Sequence, residues 1–170
     1  MTAGTYKLDP NHTQIMYAYK HLGLTQNMGL MSGATGTLTL DPKAPNNSKL
    51  SVDVPINTIH TTIAKLDEEL QSPMFFDAAK YPTAHFESTS VSAKGDSATI
   101  NGNLTIHGVT KPATINARFE AAGANPMSKK DSVSFSGTAT INRADFGLGT
   151  AVPMVASKVD LKITAAFEKQ

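Results

Sequence analysis

The chain has 170 residues, of which 40% are hydrophobic and 17% charged, with a net charge of +1 and neither cysteine nor tryptophan. That length suits one domain around one core, and the lack of cysteine excludes disulfides, thiolate catalysis and cysteine-ligated zinc. Lys and Arg are scattered without a basic stripe, which argues against nucleic acid and anionic membranes as partners, and no apolar run reaches the ~20 residues of a membrane-spanning helix.

In chain order, Met1-Thr2-Ala3-Gly4 leads abruptly into strand-like sequence at Thr5. This is read as an initiator Met placed before a mature chain whose leader has been removed. Ile15 to Tyr19 and Thr35 to Leu40 are the first strand candidates, and Asp41-Pro42 to Asn46-Asn47 is a loop. Leu50, Val52, Val54 and Ile56 then alternate with polar residues, the period-two mark of a half-buried strand.

From Thr61 to Leu70 the pattern changes. Ile63, Leu66 and Leu70 recur at helical spacing, Thr61 or Thr62 is placed to cap the start, and Asp67, Glu68 and Glu69 are expected to face water. Ser72-Pro73 ends this helix, and Pro73 fits the first turn of a second short helix carrying Met74, Phe75 and Phe76. Two adjacent rings and a methionine need an apolar place to go, so this segment is expected to cap one end of the domain.

Strand sequence resumes weakly at Ala84 to Val91. It is clear at Ala98 to Ile106, Ala113 to Phe119, Val133 to Ile141 and Val159 to Phe167. Lys94-Gly95-Asp96 and Ala122 to Pro126 are loops, and His107-Gly108-Val109-Thr110 is short enough to join its two strands as a hairpin. About eight strands with one helical excursion describe either a sandwich or an up-and-down barrel. Small residues recur on the inward faces at Gly36, Gly102, Ala113, Ala117, Gly137, Ala139 and Ala165. They either leave room for a ligand or mark bends and close sheet contacts.

Catalytic and metal signatures are lacking. His12, His21, His60, His85 and His107 form no metal-ligand spacing, so no metal site is assigned. Glu68-Glu69 is a carboxylate pair that diverges on a helix. Gly147-Leu148-Gly149 precedes no helical pattern and is no dinucleotide fingerprint.

Several motifs, in order along nearly the whole chain, resemble the YceI-like family. They are Tyr6 to Thr13, His21-Leu22-Gly23, Gly29 to Gly33, Leu70-Gln71-Ser72-Pro73 with Phe75-Phe76-Asp77, Tyr81-Pro82 with Phe86, Gly102 to Thr110, and Asn142 to Gly147. Thr13, Met31 and Lys65-Leu66-Asp67 depart from the usual family residues. The resemblance implies one domain over residues 5–169, an all-β, extended lipocalin-like antiparallel barrel with a helical excursion near 61–77. It implies a periplasmic or secreted location, compatibility with a homodimer, and a ligand that is a polyisoprenoid, such as an isoprenoid quinone, or a similar long-chain lipid, sequestered or carried without a catalytic cofactor.

On that reading the candidate ligand-binding residues are Ile15, Tyr17, Leu38, Val54, Leu70, Phe75, Phe76, Phe86, Leu104, Ile115, Phe135 and Ile163. The candidate headgroup or mouth residues are His12, His21, Arg143 and Asp145, with a structural pair between Arg143 and Asp145 as the competing role. The expected activity is binding rather than catalysis. The rivals are an enzyme acting on a bound isoprenoid with a His and a carboxylate, and a filled barrel with a structural or stress-protective role.

Overall fold

The computed structural model describes residues 1–170. Ten strands form, numbered β1 (Gly4–Leu8), β2 (Gln14–His21), β3 (Thr25–Met31), β4 (Thr35–Leu40), β5 (Lys49–Pro55), β6 (Thr83–Lys94), β7 (Ser97–Ile106), β8 (Val109–Ala124), β9 (Asp131–Asn142) and β10 (Lys158–Lys169). One helix, α1 (Ala64–Gln71), lies between β5 and β6.

All pairings are antiparallel, and the order β1-β4-β5-β6-β7-β8-β9-β10 closes on itself through β1 and β10. The result is an eight-stranded barrel. The two remaining strands form a side hairpin: β2 continues along β10 beyond β1, and β3 pairs with β2.

Between β1 and β2 the chain leaves the ladder at Asp9–Thr13 and stays tied to β10. Asp9 N–H donates to the Ala166 carbonyl (2.8 Å), and Ala166 N–H donates to the buried Thr13 hydroxyl (3.3 Å). Thr13 thus supplies the acceptor that the missing ladder residue would have provided.

The sequence-predicted strands all form, and the structure adds β1 and β3. β3 escaped the pattern because Gln26, Asn27 and Gly29 interrupt its apolar alternation. The β7–β8 hairpin turns on His107 and Gly108 alone, both with positive φ (54° and 73°), as a two-residue type I′ turn requires.

Helix α1 is shorter than expected, and its capping differs. No side chain caps its start at Ile63. Asp67, expected in water, folds back and accepts hydrogen bonds from the Thr61 amide (2.7 Å) and hydroxyl (2.6 Å). The second short helix does not form: residues 73–76 make turns, held by Phe76 N–H donating to the Leu70 carbonyl (2.9 Å) and Asp77 N–H to the Ser72 carbonyl (2.9 Å). Four residues between Ser72 and Asp77 are too few to repay helix nucleation.

Candidate functional site

The strand alternation turns Ile15, Leu38, Val52, Val54, Phe86, Ile100, Leu104, Ile115, Phe119, Phe135, Leu161 and Ile163 into the barrel. Side chains facing a solid core would be almost wholly buried. Here only 22 of 170 residues are buried, and Ile100, Leu104, Ile115, Phe135, Leu161 and Ile163 are half-buried although they point inward. The reason is a cavity of about 370 Å³ along the barrel axis, lined by 37 residues of which 27 are hydrophobic.

The small inward residues divide between the two roles the sequence left open. Ala113, Ala117, Gly137, Ala139 and Ala165 line the cavity and leave it room. Gly102 and Gly36 mark close contacts instead. A Cβ at Gly102 would lie 2.4 Å from the Phe86 ring, and one at Gly36 would lie 2.1 Å from the Ser51 carbonyl oxygen.

The two ends of the barrel differ. Toward Met1, Pro45, Lys49 and the Gly95-Asp96 turn the cavity reaches the strand ends. At the other end the lining residues Ala84, Leu104, Ile141 and Leu161 rest on a floor of two clusters, Tyr17–Ile59–Val159 and Ile106–Phe146–Leu148. Phe76 and Ile141 pack against both clusters and join them, and Leu70 packs on the first.

Of the sequence-predicted ligand positions, Ile15, Leu38, Val54, Phe86, Leu104, Ile115, Phe135 and Ile163 lie on the cavity wall. Tyr17, Leu70, Phe75 and Phe76 do not. The Tyr17 ring turns away across Gly29 on the neighbouring strand, where a Cβ would come within 2.2 Å of its hydroxyl. Its hydroxyl is buried without a hydrogen-bond partner, and burial pushes its pKa up from the ordinary 10.0. Leu70 and Phe76 sit behind the floor, so the helical segment closes the barrel end without forming wall. Phe75 is half-buried.

The four headgroup candidates lie off the cavity lining. His12 stands on the outer wall, its side chain 75% exposed, with Nδ1 2.7 Å from Asp9; that contact holds the Asp9 carboxyl below its ordinary 3.8. His21 is half-buried and bridges to Val155.

Arg143 is structural. Its Nε donates to the Ala156 carbonyl (2.9 Å), Nη2 to Val155 (2.7 Å), and Nη1 to Thr150 (3.0 Å) and to Leu148. It thereby clasps the 147–157 loop beneath the floor, and burial pulls its pKa below the ordinary 12.5. The expected Arg143–Asp145 pair is not formed; Asp145 is exposed, and the guanidinium is occupied by carbonyls.

The remaining histidines have local partners. His60 contacts Asp67 (3.0 Å), His85 contacts Asp53 (2.8 Å) and Glu87 (3.2 Å), and the His107 Nδ1–H donates to the Phe146 carbonyl (3.1 Å). No group of three or more His, Asp or Glu side chains comes together as a metal site.

Sequence reasoning passed over Leu8, Leu40, Leu50, Leu161 and Phe167, which also line the cavity. The same alternation that marked their neighbours marks them. The titratable side chains among the lining residues are Lys49, Asp96 and His85, and the His85 ring engages Asp53 and Glu87.

Fold and site together define a closed antiparallel β-barrel with an apolar internal cavity, the architecture of small-ligand-binding barrels. The YceI-like domain model matches residues 6–167, so the chain belongs to the YceI-like family. A UPF0312 protein of Pseudomonas aeruginosa is 38% identical over 99% of this chain and 88% of its own length. Among solved structures, BcnA of Burkholderia cenocepacia superposes with a TM-score of 0.83 at 21% identity, covering 94% of this chain and 98% of that one. A polyisoprenoid-binding domain from Saccharophagus degradans, implicated in plant cell wall breakdown, superposes at 0.68 with 13% identity, over 97% of this chain and 98% of that one. At those identities the likeness is one of fold.

Proposed function

We propose that the chain binds a long-chain apolar lipid of the polyisoprenoid class, an isoprenoid quinone or a prenyl chain, and sequesters or carries it with the tail along the barrel axis. The observation that carries this reading is the set of inward aliphatic side chains left half-exposed around a cavity whose lining is mostly hydrophobic. Exposed apolar surface inside a fold is stabilised only by an apolar occupant. The polyisoprenoid-binding domain with the same fold supports the ligand class.

Binding is favoured over catalysis because acid–base work needs two titratable groups converging on one reacting atom. The wall offers Lys49 and Asp96 near one end, His85 with its ring nitrogens engaged by Asp53 and Glu87, and otherwise carbon and hydroxyl groups. Family membership supports export to the periplasm or beyond, which cell fractionation of the native protein tests directly.

The experiment for the ligand is native mass spectrometry of protein purified from its own source, followed by solvent extraction. An adduct that extracts as an isoprenoid supports the proposal. Protein that purifies empty and also declines added quinones and prenyl alcohols would sink it, and would favour a ligand-free structural role.

A further inference from the structure

The longest strand, β8, has two neighbours along only part of its length. Against β7 it pairs from Val109 to Arg118, but its ladder with β9 begins at Asn116↔Thr138 and runs away from the floor. β9 keeps its own ladder with β10 as far as Asn142↔Lys158. Residues 110–115 of β8 and 139–142 of β9 are therefore neighbours in the wall without a ladder between them. This seam ends at the Asn116–Thr138 rung on one side. On the other it ends at the floor, where Val109 packs against the Ile106–Phe146–Leu148 cluster.

The sequence accounts for the break. From the two-residue turn onward the odd-numbered residues of β8 bond β7, so Thr110, Pro112 and Thr114 direct their backbone groups toward β9. Pro112 has no N–H to donate there. Lys111 is the second obstacle. Paired with Leu104, it shares the inward face by alternation, yet it is exposed. A lysine on that face keeps its charge in water only where the wall beside it is open.

The inner side of the seam is small: Ala113 and Ala139 present one methyl group each. With Leu161 they line both the cavity and a recess on the outer wall, whose rim carries Thr114, Thr140 and Asp160. Cavity and recess meet at the seam.

We propose that this seam is a side portal, through which a lipid tail enters and leaves the cavity while its polar end passes over the recess. The portal rests on the reading of the cavity as a lipid site. Parting two strands along a formed ladder breaks its backbone hydrogen bonds, and the seam has no ladder to break. At the strand-end opening Pro45 belongs to the lining, and Asn46 ties its segment to β6 by accepting from the Ala93 N–H (2.8 Å). Passage there displaces a bonded segment.

The chain has no cysteine, so a pair of introduced thiols can lock the seam. Thr114→Cys with Thr140→Cys stands one rung beyond Asn116–Thr138, where a closed ladder sets Cα atoms ~5.5 Å apart, within disulfide reach. A short bis-alkylating thiol linker replaces oxidation if the disulfide does not form. Asn101→Cys with Thr114→Cys is the control, a cross-link inside the formed β7–β8 ladder. Exchange is followed by stopped-flow fluorescence with NBD-labelled dodecanol. Locking the seam should slow association and release alike by ~10-fold or more and leave Kd within ~2-fold, because a path changes rates and not end states. Reducing the disulfide should restore the parental rates, and the control should keep them throughout. In the parent chain without lipid, the Thr140 amide should exchange with solvent faster than the Thr138 amide, which lies in the formed ladder. Parental rates in the locked protein, equal slowing in the control, or a Thr140 amide as protected as that of Thr138 overturns the portal. A parent chain that takes up no probe overturns the lipid-site reading instead, and the portal falls with it.

Discussion

If the cavity solvates a single apolar tail, its volume limits how much chain length can add to affinity. A cavity of about 370 Å³ divided by the ~30 Å³ that one water-sized group occupies in a liquid gives room for ~12 carbon atoms. Each buried methylene contributes ~0.8 kcal/mol, close to four-fold in Kd. Twelve therefore give ~10 kcal/mol gross, before association costs of ~4–15 kcal/mol.

The perturbation is ligand length. Linear primary alcohols, titrated by displacement of a fluorescent fatty probe, should gain about four-fold per carbon up to ~12 carbons and then level off. Ala117→Leu adds three carbons to the wall and should move that plateau to ~9 carbons. The reasoning fails if affinity keeps climbing at the same slope well beyond the expected limit, or if Ala117→Leu lowers all affinities equally without moving the plateau.

Three further outcomes follow from the same geometry. Ile115→Arg, on the cavity wall, should abolish lipid retention and lower the melting temperature, whereas Asn116→Arg on the outer face should leave both within the scatter of repeat measurements, since a charge is solvated outside and stranded inside. Phe76→Ala removes the ring that joins the two floor clusters and should cost ~3 kcal/mol in chemical denaturation, at the low end for a Phe truncation because the ring is half-buried; a loss no larger than that of Phe75→Ala would remove Phe76 from the floor. Asp67 is held below its ordinary 3.8, chiefly by the Thr61 hydroxyl. A depressed folded-state pKa stabilises above the unfolded value and is lost as pH falls through the folded one, so hydrogen-exchange protection of the Thr61 amide should decline below pH 3.8 and lose that acid dependence in Asp67→Asn.

Period-two alternation determined seven of the eight barrel strands, all but β1, and most of the wall. It works because a closed sheet has one inside, and a residue two positions along a strand faces the same way. It located Leu104, Ile115, Phe135 and Ile163 on the wall from the chain alone. It could not separate the two uses of a small inward residue. Gly102 accommodates the Phe86 ring, while Ala113 opens onto empty space, and the difference lies in what the neighbouring strand places opposite.

That the helical segment caps one end was legible in the chain; what it packs against was legible only in three dimensions. Phe76 looked like a residue that would touch ligand, and it packs behind a floor made by Tyr17, Ile59, Val159, Ile106, Phe146 and Leu148, which come from segments far apart in the chain. Tyr17 belongs to the inward set by its period, yet its ring leaves the cavity because Gly29, twelve residues later, presents no side chain to stop it. Arg143 resembled a site residue because charge is scarce on these strands; its four carbonyl partners come from a loop that only folding brings around it. Local periodicity reports which way a side chain faces, and long-range pairing decides what it meets there.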